Sequence, residues 1–221
     1  MKRKVGIFIF VIIIILVLSI LVIMFINSKV APRIMNYSIS EMKRVASTII
    51  NRSIRDDTLT EDDLEKMFIV SKSREEEVIS ITLDSGIVNK ITNRISDACE
   101  DNLRLVEEHK FSELKKKFNI GEEYFLVPSG IIFNNSIISS IGPKIPISLK
   151  MIGNVTSGIV TDVKEYGINN SLITVSVEIK VELMVILPFS TDYVNITNYV
   201  PIAIKLIQGK VPQVYGGSLL S

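Results

Sequence analysis

The chain carries one histidine and one cysteine, and these two residues bound most of the reaction chemistry open to it. His109 follows Glu107 and Glu108 and precedes Lys110, so it reads as a solvated helix terminus favoured by the helix dipole. Without a second histidine or cysteine, a zinc site of the usual spacing is excluded. A Ser-His-Asp triad would have to use His109. No G-x-S-x-G turn supplies its serine, and the nearest match, "PSGI" at 128–131, lacks the pattern. No glycine loop of the phosphate-cradling type occurs, and no cofactor is expected. Cys99 falls on the apolar stripe of an expected helix, the setting of a small core residue and not of a nucleophile. Carboxylates remain. Glu75, Glu76 and Glu77 form one acidic cluster and Glu61, Asp62 and Asp63 another, and paired acids can hydrolyse glycosidic bonds. Both clusters sit at the starts of expected elements, where acidic runs are commonly solvated faces.

The segments that must position these residues begin with an apolar one. From Val5 to Ile26 no charged residue occurs. A helix of that length spans roughly 33 Å, slightly more than a hydrocarbon core of about 30 Å. Signal peptides share the basic start, but their apolar run is shorter and ends in a small-x-small cleavage site, which "NSKVAPR" does not offer. The expectation is an uncleaved membrane anchor over residues 5–26, in contact with lipid. Lys2, Arg3 and Lys4 crowd the tail at residues 1–4, whereas Lys29 and Arg33 are sparser beyond the apolar run. The positive-inside tendency then places the N-terminus in the cytoplasm and the rest outside. Removing the three tail cations takes the net charge from +1 to −2, which suits a solvated domain and gives no reason to expect a nucleic-acid partner. A lone cysteine cannot close an internal disulfide, so stability must come from the core.

After a juxtamembrane linker at 27–36, a domain over 37–221 is expected. Ser38 and Glu41 have capping-box spacing, and Ile39, Met42, Val45, Ala46, Ile49 and Ile50 recur at helical steps. Lys43, Arg44 and Arg52 line the other side and leave open a basic helix lying against anionic lipid. A short helix follows with Thr60 as its cap. Ile79, Ile81 and Leu83 then alternate, "DSG" at 84–86 reads as a turn, and Ile87, Val88 and Ile91 complete a hairpin. A third helix is expected from Asn93, with Ile95, Ala98, Cys99, Leu103 and Val106 inward.

The second half changes to period two. Residues 145–151 and 155–164 read as two strands joined by a turn at Gly153-Asn154. Residues 172–187 alternate without fault from Ile173 to Leu187, long enough to need a bend or bulge, and Pro188 ends them. "FSTDY" at 189–193 reads as a turn. Residues 194–207 return with Val194, Ile196, Val200, Ile202, Ile204 and Leu206 inward, and Pro201 suits an edge strand. The expected class is α+β: a transmembrane helix, two to three helices with a β-hairpin, and a four-stranded antiparallel meander.

Nearly the whole chain resembles the YunB family of endospore-forming bacteria. The features that carry this are "VPSG" (127–130), "GPKIP" with Gly142, Pro143 and Pro146, and the Gly153 turn. They continue with "GIN" (Gly167, Ile168, Asn169), the alternating strand closed by Pro188, and "QGKVPQVY" with Gly209 and Pro212. The resemblance implies a membrane-associated sporulation protein and no known reaction. The family pattern continues after "GIN" as Gln-Thr-x-His, whereas this chain has Asn170, Ser171, Leu172 and Ile173. Any chemistry that histidine did is lost here, and "GINNS" reads as the corner that sets the sheet register, with a binding loop as the other reading. Three functions stay open: a non-enzymatic role in endospore formation through protein–protein or envelope contacts, an envelope hydrolase using the acids, and a small-ligand or lipid carrier, which would need an apolar cavity between sheet and helices.

Overall fold

The computed structural model describes residues 2–55, 59–72, 78–133, 135, 137–167 and 170–208. Glu75, Glu76 and Glu77 and the signature residues Ile168, Asn169, Gly209 and Pro212 lie outside the described residues. Helix α1 (Lys2–Phe25) passes through a π-helical turn (Ile26–Val30) into helix α2 (Ala31–Arg55) without a break. The segment expected as a linker is therefore helical. Side chains change character across the joint. Leu16 and its neighbours are exposed all round, whereas Ile34, Met35, Met42, Val45, Ala46, Ile49, Ile50 and Ile54 are buried along one face. Ser38 does not cap this helix. It is buried in the interior, and its hydroxyl donates to the Ile34 carbonyl at 2.8 Å, the usual fate of a mid-helix serine.

Thr60 does cap α3 (Glu61–Lys66), accepting from the Asp63 N–H at 3.2 Å. Strand β1 (Phe68–Lys72) pairs antiparallel with β2 (Val78–Leu83). The hairpin expected through "DSG" is absent. Asp84 Oδ1 accepts from the N–H groups of Gly86 (2.8 Å) and Ile87 (3.1 Å) and so starts helix α4 (Ser85–Glu107), well before Asn93. An aspartate ahead of a small residue serves a turn and a helix cap alike, and the apolar spacing of Ile87, Ile91 and Ile95 decides for the helix. Helix α5 (Phe111–Phe118) ends on Asn119 in the left-handed region.

Short strands β3 (Leu126–Pro128) and β4 (Lys144–Pro146) pair antiparallel and enclose two 3-10 turns, Ser129–Ile132 and Ile138–Ser140. The main sheet has three strands and not four, in the order β5 (Ser148–Glu165), β6 (Asn170–Leu187), β7 (Ser190–Gln208). The two strands expected on either side of Gly153 are one strand. Ile152 pairs with Glu182 and Thr156 with Lys180, so Gly153, Asn154 and Val155 face Val181 alone. Gly153 has φ +69°, and this bulge lets both flanks keep the same neighbour. A glycine-asparagine pair reads as a turn from sequence because it supplies the same backbone geometry.

The alternation of β6 holds. Val175, Val177, Ile179, Val181, Leu183, Val185 and Leu187 are all buried, packed beneath α2 and α4. The turn to β7 is Pro188-Phe189, and residues 190–193 already belong to the strand. As expected, β7 is an edge and holds Pro201. A second bulge falls there: Ser176 pairs with Pro201 and Val175 with Ala203, leaving Ile202 unpaired. Alternation reverses beyond it. Ala203 and Lys205 turn inward, and Ile204 and Leu206, expected inside, are 67% and 45% exposed on the outer face.

The sheet outruns its helical cover. Strands of 18 residues reach about 60 Å, against roughly 35 Å for the 23 residues of α4. Its orientation is set by α2. Arg33, at the start of α2, donates to the Ile132 carbonyl at 2.7 Å beside β3. Farther along, Ser47 and Asn51 meet Asn198 of β7. The Pro188 turn thus lies near α1, and the Gly167 turn is at the far end. Gly153→Val should cost roughly 1–2 kcal/mol in chemical denaturation, because its left-handed φ is strained for any side chain. Gly158→Ala on the same strand, with equally open surroundings and no such φ, should be neutral.

Candidate functional site

Two acids of the described cluster, Asp62 and Asp63, are held in ion pairs. Asp63 is 4% exposed and receives the Thr60 hydroxyl at 2.6 Å, Lys90 at 3.3 Å and the Arg94 guanidinium. It ties α3 to α4. Asp62 pairs with Lys66 at 2.7 Å within α3. Neither residue is poised as a free acid beside a substrate cleft. Cys99 is fully buried, and burial pushes its thiol up to about 12, far from a reactive thiolate. His109 sits just past α4 with φ 55°; its Nδ1 lies 2.9 Å from the Glu107 carbonyl and its Nε2 3.5 Å from Ser148 Oγ. That contact is long for a nucleophile–base hydrogen bond, and a backbone carbonyl and not a carboxylate stands behind the ring. Among the described residues no group of three or more His, Cys, Asp or Glu side chains could hold a metal ion.

The signature residues are spread along the sheet and its approach. Pro143 accepts from the Ser129 N–H at 3.0 Å, and Gly142 has φ +108° with Ser129 Oγ where a Cβ would go. Pro146 pairs with Leu126. Gly153 makes the bulge, and Pro188 the near turn. Gly167 has φ +70° in the far turn, where the Tyr166 N–H donates to the Asn170 carbonyl at 2.9 Å. Those among the described residues do not converge on one pocket. Sequence reasoning missed Gly130, whose N–H donates to the Ile141 carbonyl at 2.9 Å and whose Cβ would lie 2.1 Å from the Ile138 carbonyl oxygen. Its place in "VPSG" was the available signal.

The feature best suited to function is the outer face of the main sheet with its β7 edge. Near the middle, Tyr199 Oη donates to Glu178 Oε1 at 2.8 Å, and Lys180 Nζ reaches Glu178 Oε2 at 2.9 Å. Those two contacts, Lys180 first, hold the Glu178 carboxyl below its ordinary range. The Gly153 bulge opens a depression of about 500 Å³ lined by Asn154, Thr156, Lys180, Glu182 and Asn195. Toward the far end this face adds exposed aliphatics beside the Asp162–Lys164 ion pair. Val160, Ile204 and Leu206 are exposed there, with Val163 and Tyr166 exposed around the tip. β7 has no strand beyond it among the described residues, and Asp192 and Lys205 are its two charges. A long, weakly charged edge flanked by exposed aliphatics is a template for a partner. The carrier reading needs an apolar cavity between sheet and helices; the depression between α2 and β7, about 420 Å³ and lined by Thr48, Asn51, Arg52, Tyr199, Val200 and Pro201, is open and of mixed polarity.

Comparison with known proteins places this geometry. The family model described as Sporulation protein YunB matches residues 124–214, from the turn before β3 through β7. "Sporulation protein YunB" of Bacillus subtilis (strain 168) is 31% identical over 194 residues, covering 87% of this chain and 74% of that protein. No solved structure matches.

The Asp63 knot makes stability depend on acid. The Thr60 hydroxyl, Arg94 and Lys90 hold its carboxyl well below the ordinary 3.8, so the ionised form is favoured in the folded state. Its stabilisation is complete above that ordinary value and declines as the pH falls below it. The unfolding midpoint of the wild-type chain should therefore drop between pH 5 and pH 3 by more than that of Asp63→Asn. Equal drops would show that the knot is not the acid-sensitive element.

Proposed function

Because the chain belongs to the YunB family of sporulation proteins, we propose that it acts in endospore formation as an anchored, non-enzymatic binding module. One helix is long and apolar enough to cross a membrane, with a mean hydropathy of 3.3, and fits a single-pass anchor. Its unbroken run into the buried face of α2 favours an anchor that stays attached over a removed leader. In this reading the basic tail at Lys2–Lys4 lies in the cytoplasm and the domain projects outside.

The observation that carries the binding role is the outward turn of Ile204 and Leu206 beside the open β7 edge. A protein partner of the spore envelope would add a strand to β7 and cover these side chains. The ion-paired state of Asp62 and Asp63 supports a non-enzymatic role over a hydrolase. In sporulating cells, Ile204→Asp with Leu206→Asp should lower the yield of heat-resistant spores while the protein stays at its normal level. Unchanged yield would remove this face from the function. Replacing Glu75, Glu76 and Glu77 by alanine should leave the yield intact; loss of yield with a folded protein would favour the hydrolase.

A further inference from the structure

A second apolar surface lies at the opposite end of the domain from the β7 tip. Between Glu123 and Lys144 the chain has no charged residue. Within that stretch Phe133, Ile137, Ile138 and Ile141 are 54%, 77%, 42% and 60% exposed. A cluster of this kind needs a covering surface, and four such side chains in one short loop are costly to leave in water. The loop is not loose. Gly130 N–H donates to the Ile141 carbonyl at 2.9 Å, Phe133 N–H to the Gly130 carbonyl at 3.0 Å, and Ile137 N–H to Asn135 Oδ1 at 2.9 Å. Gly130 permits the close crossing, since a Cβ there would collide with the Ile138 and Ile141 carbonyl oxygens.

Its position identifies the covering surface. Arg33 holds the Ile132 carbonyl, and Arg33 stands one short stretch of continuous helix beyond Ile26, the end of the apolar segment. At 1.5 Å per residue that stretch rises about 10 Å, little more than the roughly 5–8 Å depth of the lipid headgroup layer. The exposed side chains thus sit at the level of the headgroups if α1 spans the membrane. A protein partner covering them would itself have to lie within that layer. Arg33 at the Ile132 carbonyl and Lys144 just past the loop supply positive charge that suits anionic headgroups, with Lys29 one turn before Arg33 on the helix. Asn135, Ser139 and Ser140 among the aliphatics suit a shallow seat and not a second span.

We infer that Phe133, Ile137, Ile138 and Ile141 form a second membrane contact, seating the domain on the lipid surface from which α1 emerges. This rests on the anchor reading above. With helix and loop both engaged, the domain is fixed in rotation and tilt, and the main sheet is held with its Gly167 end far from the bilayer.

The chain contains no tryptophan, so single-tryptophan variants of the full chain report position directly. The probe is vesicles of phosphatidylcholine and phosphatidylglycerol, doped with lipids carrying a quencher either near the headgroup or deep in the acyl chain. Leu16→Trp should be quenched by the deep label, and Tyr166→Trp by neither. Ile137→Trp should emit further to the blue than Tyr166→Trp and lose intensity to the shallow label, and Ile141→Trp should repeat this. Ile137→Trp and Ile141→Trp emission as red as that of Tyr166→Trp, with Leu16→Trp still quenched, would overturn the loop contact and leave the anchor standing. Blue emission without lipid quenching would overturn it equally, by showing a protein cover. Absence of quenching at Leu16→Trp would instead remove the anchor on which the inference rests.

Discussion

Everything in this molecule is hung from one helix that serves two environments. From Phe10 to Ile26 its side chains are uncharged and exposed on every side, which fits hydrocarbon. From Ile34 onward the same helix is amphipathic and buries one face against the main sheet. No joint separates the two parts, because the π-helical turn keeps the rod continuous, with the Ala31 N–H bonded to the Ile26 carbonyl. The domain core therefore begins within two helical turns of the apolar segment. That constraint gives the sheet a near end and a far end.

The sheet carries the fold far from this helix. Its inner face is an uninterrupted row of buried aliphatics from Val175 to Leu187, and α2 and α4 are stitched to it by small polar contacts. Ser157 donates to the Thr92 carbonyl at 2.7 Å and meets Ser96 at 2.8 Å, while Asn198 joins Ser47 and Asn51. Two bulges then decide what the sheet presents. The one at Gly153 keeps β5 in register past a point where it would otherwise part from β6. The one at Ile202 turns the last residues of β7 over, so that aliphatic side chains meet solvent and Lys205 reaches inward to lie 4.8 Å from the centre of the Phe68 ring. An edge strand with its apolar side turned out is an unsatisfied surface, and the proposed binding role rests on it.

Much of this was legible along the chain. The apolar segment, the inward stripe of α2, the Thr60 cap, the alternation of β6 and the edge position of Pro201 all follow from side-chain period and from the backbone limits of proline. What misled were residues whose local chemistry serves two structures. Asp84-Ser85-Gly86 makes a turn or a helix cap. Gly153-Asn154 makes a hairpin or a bulge. Ser38 and Glu41 make a capping box only when the helix begins there, and here it began earlier. Of the candidate surface, the openness of β7 was foreseen, but the exposure of Ile204 and Leu206 was not, because one unpaired residue at Ile202 reverses a period-two pattern without changing its composition.

By itself, the sequence determined the class of the protein: an apolar helix at one end, helical then alternating patterning beyond it, and glycines and prolines on which the resemblance to the family was read. These are local properties, written in the spacing of side chains and the backbone freedom of single residues. Only the tertiary structure decided how many strands the sheet has, that Asp63 is locked between Thr60, Lys90 and Arg94, and that residues as distant as Arg33 and Ile132 meet. Strand count depends on which neighbour supplies the hydrogen bonds, and the roles of Asp63 and Arg33 depend on what folding brings beside them. Neither is present in the spacing of residues along the chain.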